Sequence, residues 1–131
     1  MKGLRVRRVV TDHDKSGRAI VKADETLDDA LSARPGHERL DLWKGADGTV
    51  FRCVRYEPGV APRNHRTETI DYAVVVSGEL EMELDGAIVK LRQGDVLVQQ
   101  NTMHNWVNRG TEACVVAFVL VPLKGAKRAL G

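Results

Sequence analysis

The chain has 131 residues, 43% of them hydrophobic and 29% charged, with 20 Lys and Arg against 18 Asp and Glu. That balance predicts one soluble domain with a sizeable core, because two domains of ordinary size would need on the order of 100–150 residues each. No apolar run reaches the roughly 20 residues of a membrane span: even the stretch Ala113–Leu123 contains Pro122 and runs into Lys124. The opening Met1-Lys2-Gly3-Leu4-Arg5 carries the charge of a signal peptide without the apolar stretch that should follow, so a cytoplasmic location is expected. Four positive charges in residues 1–10 and three in 121–131 leave 13 positive against 18 negative between them. An acidic middle with no basic face or interleaved aromatics excludes a nucleic-acid reader, and the basic ends read as solvated tails.

Only six residues are aromatic, whereas eighteen are valine, fourteen of them from position 50 onward. β-Branched side chains suit pleated strands, so the second half should be β-rich. In chain order, Leu4–Val10 and Arg18–Lys22 read as short strands separated by the turn-like Asp12-His13-Asp14-Lys15-Ser16-Gly17. Thr26–Ala33 is expected to form one short helix, with Thr26 as its N-cap and Pro35-Gly36 beyond its end. Residues 1–45 therefore form an extension that packs on the rest or on a partner subunit. Its two strands have no evident partner of their own, which predicts a homodimer in which an N-terminal strand joins or packs on the neighbour.

From Thr49 onward closely spaced strands follow: Thr49–Glu57, Asp71–Ser77, Glu79–Leu84, Ala87–Arg92, Val96–Gln99, His104–Asn108 and Ala113–Val121. Asp85-Gly86 between two alternating runs is a strong hairpin signal. It places Leu84 opposite Ala87, Met82 opposite Val89 and Leu80 opposite Leu91, with the apolar set on one face. Seven or more short strands predict a closed or nearly closed antiparallel barrel or sandwich over 46–123, followed by a basic tail over 124–131. A small barrel of this kind can enclose one ligand. Cys53 and Cys114, far apart in apolar runs, read as buried, reduced thiols.

Two motifs stand in the barrel region. The first is Gly59-x5-His65-Arg66-Thr67-x3-Asp71-x6-Gly78. The second runs from Gly94 through Asn101 to His104-x3-Asn108. Their spacing resembles the paired motifs of the cupin superfamily, here a small single-domain cupin, in which the first reads glycine, His-x-His, Glu, glycine and the second glycine, Pro-x-Gly, His, Asn. Thr67 stands for the family's second His and Asp71 for its Glu. The second motif is one residue short and lacks its Pro and Gly, with Asn101 taking the turn because Asn tolerates the left-handed conformation. The resemblance implies an all-β fold, a cupin-type double-stranded β-helix (jelly-roll) barrel with an N-terminal extension of short strands. It also implies inward-pointing motif side chains, usually around one divalent metal such as Fe, Mn, Ni or Zn.

The residues carry their own chemistry beside that resemblance. His65, Asp71 and His104, if the barrel brings them together, offer two imidazoles and a carboxylate, a donor set that suits Fe(II) and related ions and leaves positions open for substrate. The expected function is thus a metal-dependent enzyme of dioxygenase, decarboxylase or isomerase type, acting on a small organic molecule through His65, Asp71 and His104 as metal ligands and catalytic residues. A metal-free cyclase, dehydratase or isomerase using the same His and Asp groups for acid-base work is the alternative, and a non-catalytic binding module is a third. Thr67 reads as a pocket wall. Arg52, Arg55 and Tyr56 on the preceding strand are candidates to hold a substrate carboxylate or phenol, with alternation leaving the inward face of that strand open. Trp106 and Asn108 share a strand face with His104 and complete the candidate pocket. His13 and His37 lie outside the motifs and are expected at the surface. With so few rings in the chain, an aromatic-lined pocket is not expected.

Overall fold

The computed structural model describes residues 3–123, so the basic tail over 124–131 lies outside it. Eleven strands and no helix make up these residues. They are β1 (Val6–His13), β2 (Ala19–Leu27), β3 (Leu31–Arg34), β4 (His37–Lys44), β5 (Val50–Tyr56), β6 (Thr69–Ser77), β7 (Glu79–Leu84), β8 (Ala87–Arg92), β9 (Val96–Gln100), β10 (Asn105–Val107) and β11 (Cys114–Pro122). A six-stranded sheet in the order β3-β4-β5-β11-β6-β9 faces a three-stranded sheet, β10-β7-β8, while β1 and β2 pair as a separate hairpin. The architecture is all-β, as the strand spacing predicts, and is the jelly roll that the motif resemblance implies.

The core lies between the two sheets because each strand turns alternate residues inward. Val54, Tyr56, Ala73, Val75, Val116 and Phe118 come from the larger sheet and meet Leu80, Met82, Leu91 and Trp106 from the smaller one. The β7–β8 hairpin has the register that Asp85-Gly86 dictates, with Leu84 opposite Ala87, Met82 opposite Val89 and Leu80 opposite Leu91. Gly78, which joins β6 to β7, has φ +82, and a Cβ there would lie 2.6 Å from the Ala113 carbonyl oxygen. Only glycine fits that corner. Asn101 takes the left-handed turn assigned to it, with φ 56. Cys53 and Cys114 are buried free thiols, and burial pushes Cys114 up to about 11.

The first 45 residues depart from expectation. No helix forms over 26–33: β2 continues to Leu27, and β3 begins at Leu31. Gly36, in the left-handed region at φ +79, lets Arg34-Pro35-Gly36-His37 turn β3 tightly back on β4. The residues in question are thereby drawn into sheet pairing, where tertiary contacts override a weak helical preference. β4 in turn pairs with β5, so residues 31–44 belong to the large sheet rather than to an appended segment. The remaining strands, β1 and β2, pair with each other from Val6 opposite Leu27 to His13 opposite Ala19. Leu4, Val6 and Leu27 cover Leu40, Leu42 and Cys53 on the outer face of the large sheet, and Arg8 Nη1 donates to the Leu42 carbonyl at 2.6 Å. The N-terminal strands thus find partners within their own chain.

Candidate functional site

The site begins with a pair of backbone hydrogen bonds. His65, in the loop between β5 and β6, and His104, just before β10, each donate an amide N–H to the other's carbonyl at 2.9 Å. That bridge sets the two imidazoles side by side, with ring centroids 4.6 Å apart and planes at 53°. Asn105 clamps the same corner. Its Oδ1 accepts from the Arg63 amide at 2.8 Å, and its Nδ2 donates to Glu83 of β7 at 2.9 Å. His104 Nδ1 lies 2.7 Å from the Thr102 carbonyl oxygen and His65 Nδ1 lies 3.2 Å from that of Arg63. A carbonyl can only accept, so in each ring Nδ1 carries the proton. In the neutral form of each ring Nε2 then presents a lone pair, and neither Nε2 has a protein partner among the described residues.

Asp71 enters from β6, whose residues 71, 73 and 75 point inward. It is buried, and Thr69 Oγ1 donates to its Oδ1 at 2.5 Å. Because that hydroxyl proton is committed, Thr67 Oγ1 must donate in turn to Thr69 Oγ1, 2.8 Å away. The relay fixes the carboxylate and leaves the Thr67 lone pairs toward the pocket. Burial pushes the Asp71 carboxyl above the usual range, against the opposing influence of Thr69, His104 and Arg52. His65 is shifted the other way, held below the ordinary imidazole value by burial, with neighbouring His104, Arg63 and Arg34 adding to the effect.

One pocket is lined by His65, His104, Asp71 and Thr67 together with Arg52, Tyr56 and Trp106. The inward face of β5 is therefore 52, 54 and 56. Arg55 lies on the opposite face and pairs with Glu57. Asn108 does not line the pocket; its Nδ2 bonds the carbonyls of Tyr56 and Glu112, both at 2.9 Å, and its Oδ1 accepts from the Gly110 amide. It shapes the loop before β11. Half the chain's six aromatic residues, Tyr56, Trp106 and Phe118, line the pocket after all. Tyr56 and Trp106 belong to a continuous ring series, His37–Tyr56–Trp106–His104, with centroid separations of 5.5–5.7 Å, edge-to-face at its two ends and tilted at 39° in the middle.

His37 corrects a further expectation. It is buried, not at the surface, and joins Arg34 and Arg39 in lining the same pocket. No motif marks these three, because β3 and β4, which carry them, mix charged with apolar residues in no clear alternation. Motif spacing does not register Thr69 or Asn105: Thr69 acts on Asp71 two residues away, and Asn105 acts across the fold on Arg63 and Glu83.

The metal centre implied by the motif resemblance depends on three donors meeting. His65 and His104 fit as two imidazole donors with free Nε2 atoms. Among the described residues, however, no three His, Cys, Asp or Glu side chains are grouped so as to hold an ion. The histidines stand as a pair, with Asp71 tied to Thr69 on the same pocket wall.

Comparison with known proteins agrees with the fold and places the chain. The Cupin domain family profile (Cupin_2) matches residues 52–121. "Phomopsin biosynthesis cluster protein D" of Diaporthe leptostromiformis is 34% identical over 138 residues, spanning 81% of this chain and 72% of that protein. The "Cupin-domain-containing oxidoreductase srdD" of Neurospora crassa is 41% identical over 109 residues, 80% of this chain and 56% of that one. "Oryzines biosynthesis cluster protein J" of Aspergillus oryzae is 50% identical over 62 residues, and the match spans only 35% of its length. Among solved structures, KdgF from Halomonas sp. superposes with a TM-score of 0.61 at 27% identity, over 74% of this chain and 91% of that one. With the barrel, both motifs and these relatives in agreement, the chain belongs to the cupin family.

Proposed function

We propose that the protein is an enzyme that binds a small organic molecule in this pocket and moves a proton on it, as an isomerase, dehydratase or cyclase would. The observation that supports this most is the histidine pair, with both Nδ1 protons given to carbonyls and both Nε2 lone pairs left to the pocket. One Nε2 takes a proton from the bound molecule. Asp71, whose carboxyl is biased toward its protonated form by burial, returns one at another atom of the substrate. Groups whose environments push their ionisation in opposite directions are the mark of an acid-base pair, and such positioned transfer contributes on the order of 10²–10⁴-fold in rate. The relatives named as oxidoreductases and biosynthesis-cluster proteins support action on a small organic molecule, without fixing the reaction.

A metal-dependent enzyme is the competing reading, and it uses the same two Nε2 atoms as ligands. It needs a third donor beside them, which the described side chains do not group there, so no step is assigned to an ion. The two readings separate in one experiment. Protein treated exhaustively with chelator is incubated in D₂O with a set of small ketones and keto acids, and deuterium incorporation is followed by NMR. The proposal expects exchange in the chelated protein and a loss of about 10²-fold or more in His104→Ala. Exchange that appears only when Fe, Mn, Ni or Zn is restored would favour the metal-dependent reading; ligand binding with no exchange under either condition would leave a binding module.

A further inference from the structure

The charge of the pocket wall deepens this reading by naming the kind of molecule it takes. Four guanidinium groups, Arg34, Arg39, Arg52 and Arg63, line the pocket, against a single carboxylate, Asp71. Two of the four have fixed partners. Arg52 binds Asp41 through two bonds, 2.6 Å and 3.5 Å long, which offsets its charge; Arg34 Nε donates to the Ala61 carbonyl at 2.9 Å and keeps its charge uncompensated. Among the described residues the side chains of Arg39 and Arg63 have no acceptor. Arg39 is nonetheless half-buried.

His37 adds an independent sign. The residue is only 9% exposed, and its Nδ1, itself buried, has no hydrogen-bond partner. Buried polar atoms in native proteins are almost always paired, so an orphan at a pocket wall calls for an explanation. Burial, with the positive charges of Arg34, Arg39 and Arg63, keeps this imidazole neutral at ordinary pH. In its Nδ1–H tautomer a neutral ring offers a donor without adding a charge of its own. Arg34, His37 and Arg39 come from β3 and β4, outside the 52–121 span shared with the family profile.

We infer that the pocket takes its ligand by a carboxylate, gripped by Arg39 and Arg63 and accepting a hydrogen bond from His37 Nδ1, so that the remainder of the molecule faces the His65–His104 pair. Guanidinium groups suit this task because their planar fork matches a carboxylate. The aromatic row of Tyr56 and Trp106 supplies an apolar surface beside the charged end.

The test is a titration of ¹⁵N-labelled full-length protein with benzoate and with benzamide, which match in size and differ in charge. Wild type should prefer benzoate at least tenfold, with shifts at His37, Tyr56 and Arg63. Arg39→Gln and Arg63→Gln should each weaken benzoate binding about tenfold, the loss expected for one charge-assisted hydrogen bond. The double variant should bind both probes alike. Arg7→Gln, which removes a charge paired with Asp24 on the exposed hairpin, should leave the preference unchanged. Well-dispersed amide spectra establish that each variant is folded, and Arg39→Lys, which keeps the charge and loses the fork, should fall between wild type and Arg39→Gln. Equal binding of the two probes by wild type, a preference that survives in the double variant, or no carboxylate-dependent shift at these residues at tens of millimolar would overturn the inference. None of those results bears on deuterium exchange by the histidine pair, so the proton-transfer reading stands or falls separately.

Discussion

His37 shows how one side chain registers both stability and site chemistry. Its imidazole is held at about 4, far below the usual 6.5, by burial first and then by Arg34, Arg39 and Arg63. Tyr56 packs against its ring, and the charged groups facing it are these arginines. The unfolded chain therefore binds a proton between pH 6.5 and 4 that the folded chain refuses, and stability must fall as pH drops through that window. The contribution is fully present above about pH 6.5, and up to about 3 kcal/mol is lost by pH 4. His37→Asn, compared with wild type by urea unfolding across this range, should remove that part of the slope. Parallel curves for the two proteins would refute the assignment. At this scale the sequence was legible where spacing carried the signal: His65, Thr67, Asp71 and His104 all line one pocket. Where strand parity carried it, the sequence was mute. Arg52 and Arg55 are equivalent on paper, and only the pairing of β5 with its neighbours turns one inward and the other out.

Among the elements, the β7–β8 hairpin was fully readable because local signals agreed. Glu79, Glu81 and Glu83 alternate with apolar residues, and Asp85-Gly86 supplies the turn, with Gly86 at φ 73. β3 and β4 were not, since Leu31–Arg34 and His37–Lys44 mix charge with apolar residues in no clear alternation and become strands only through pairing with β5. The corner between β6 and β7 makes a sharper prediction. Gly78→Ala would force a Cβ against Ala113 and Cys114 in a backbone conformation that alanine resists, so it should destabilise by more than about 1 kcal/mol. Leu80→Ala, in the core just beyond, should cost about 2–5 kcal/mol. Denaturant midpoints measure both; a Gly78→Ala protein as stable as wild type would mean that the corner is built otherwise.

Viewed whole, the molecule covers one half of the large sheet's outer face and leaves the other half open. The β1–β2 hairpin shields Leu40, Leu42 and Cys53, whereas Phe51, Tyr72, Val74, Val76, Val96 and Val98 are 39–71% exposed. Tyr72 pairs with Val98 and Val74 with Val96, so these side chains form one contiguous patch. Apolar patches of this kind mark association surfaces. The homodimer expected from unpaired N-terminal strands thus acquires a different basis, since those strands pair with each other. We expect a dimer by light scattering at micromolar concentration, and Tyr72→Glu should shift it to monomer; a wild-type monomer would contradict this.

The central claim is that His65 and His104 present unprotonated Nε2 atoms to the pocket. Imidazole ¹⁵N–¹H correlation spectra of the chelated protein, recorded at a pH where histidines are neutral, read this directly. The account predicts Nδ1–H tautomers for both rings, with both Nε2 signals displaced when a pocket ligand is added. Nε2–H tautomers at either histidine would contradict it.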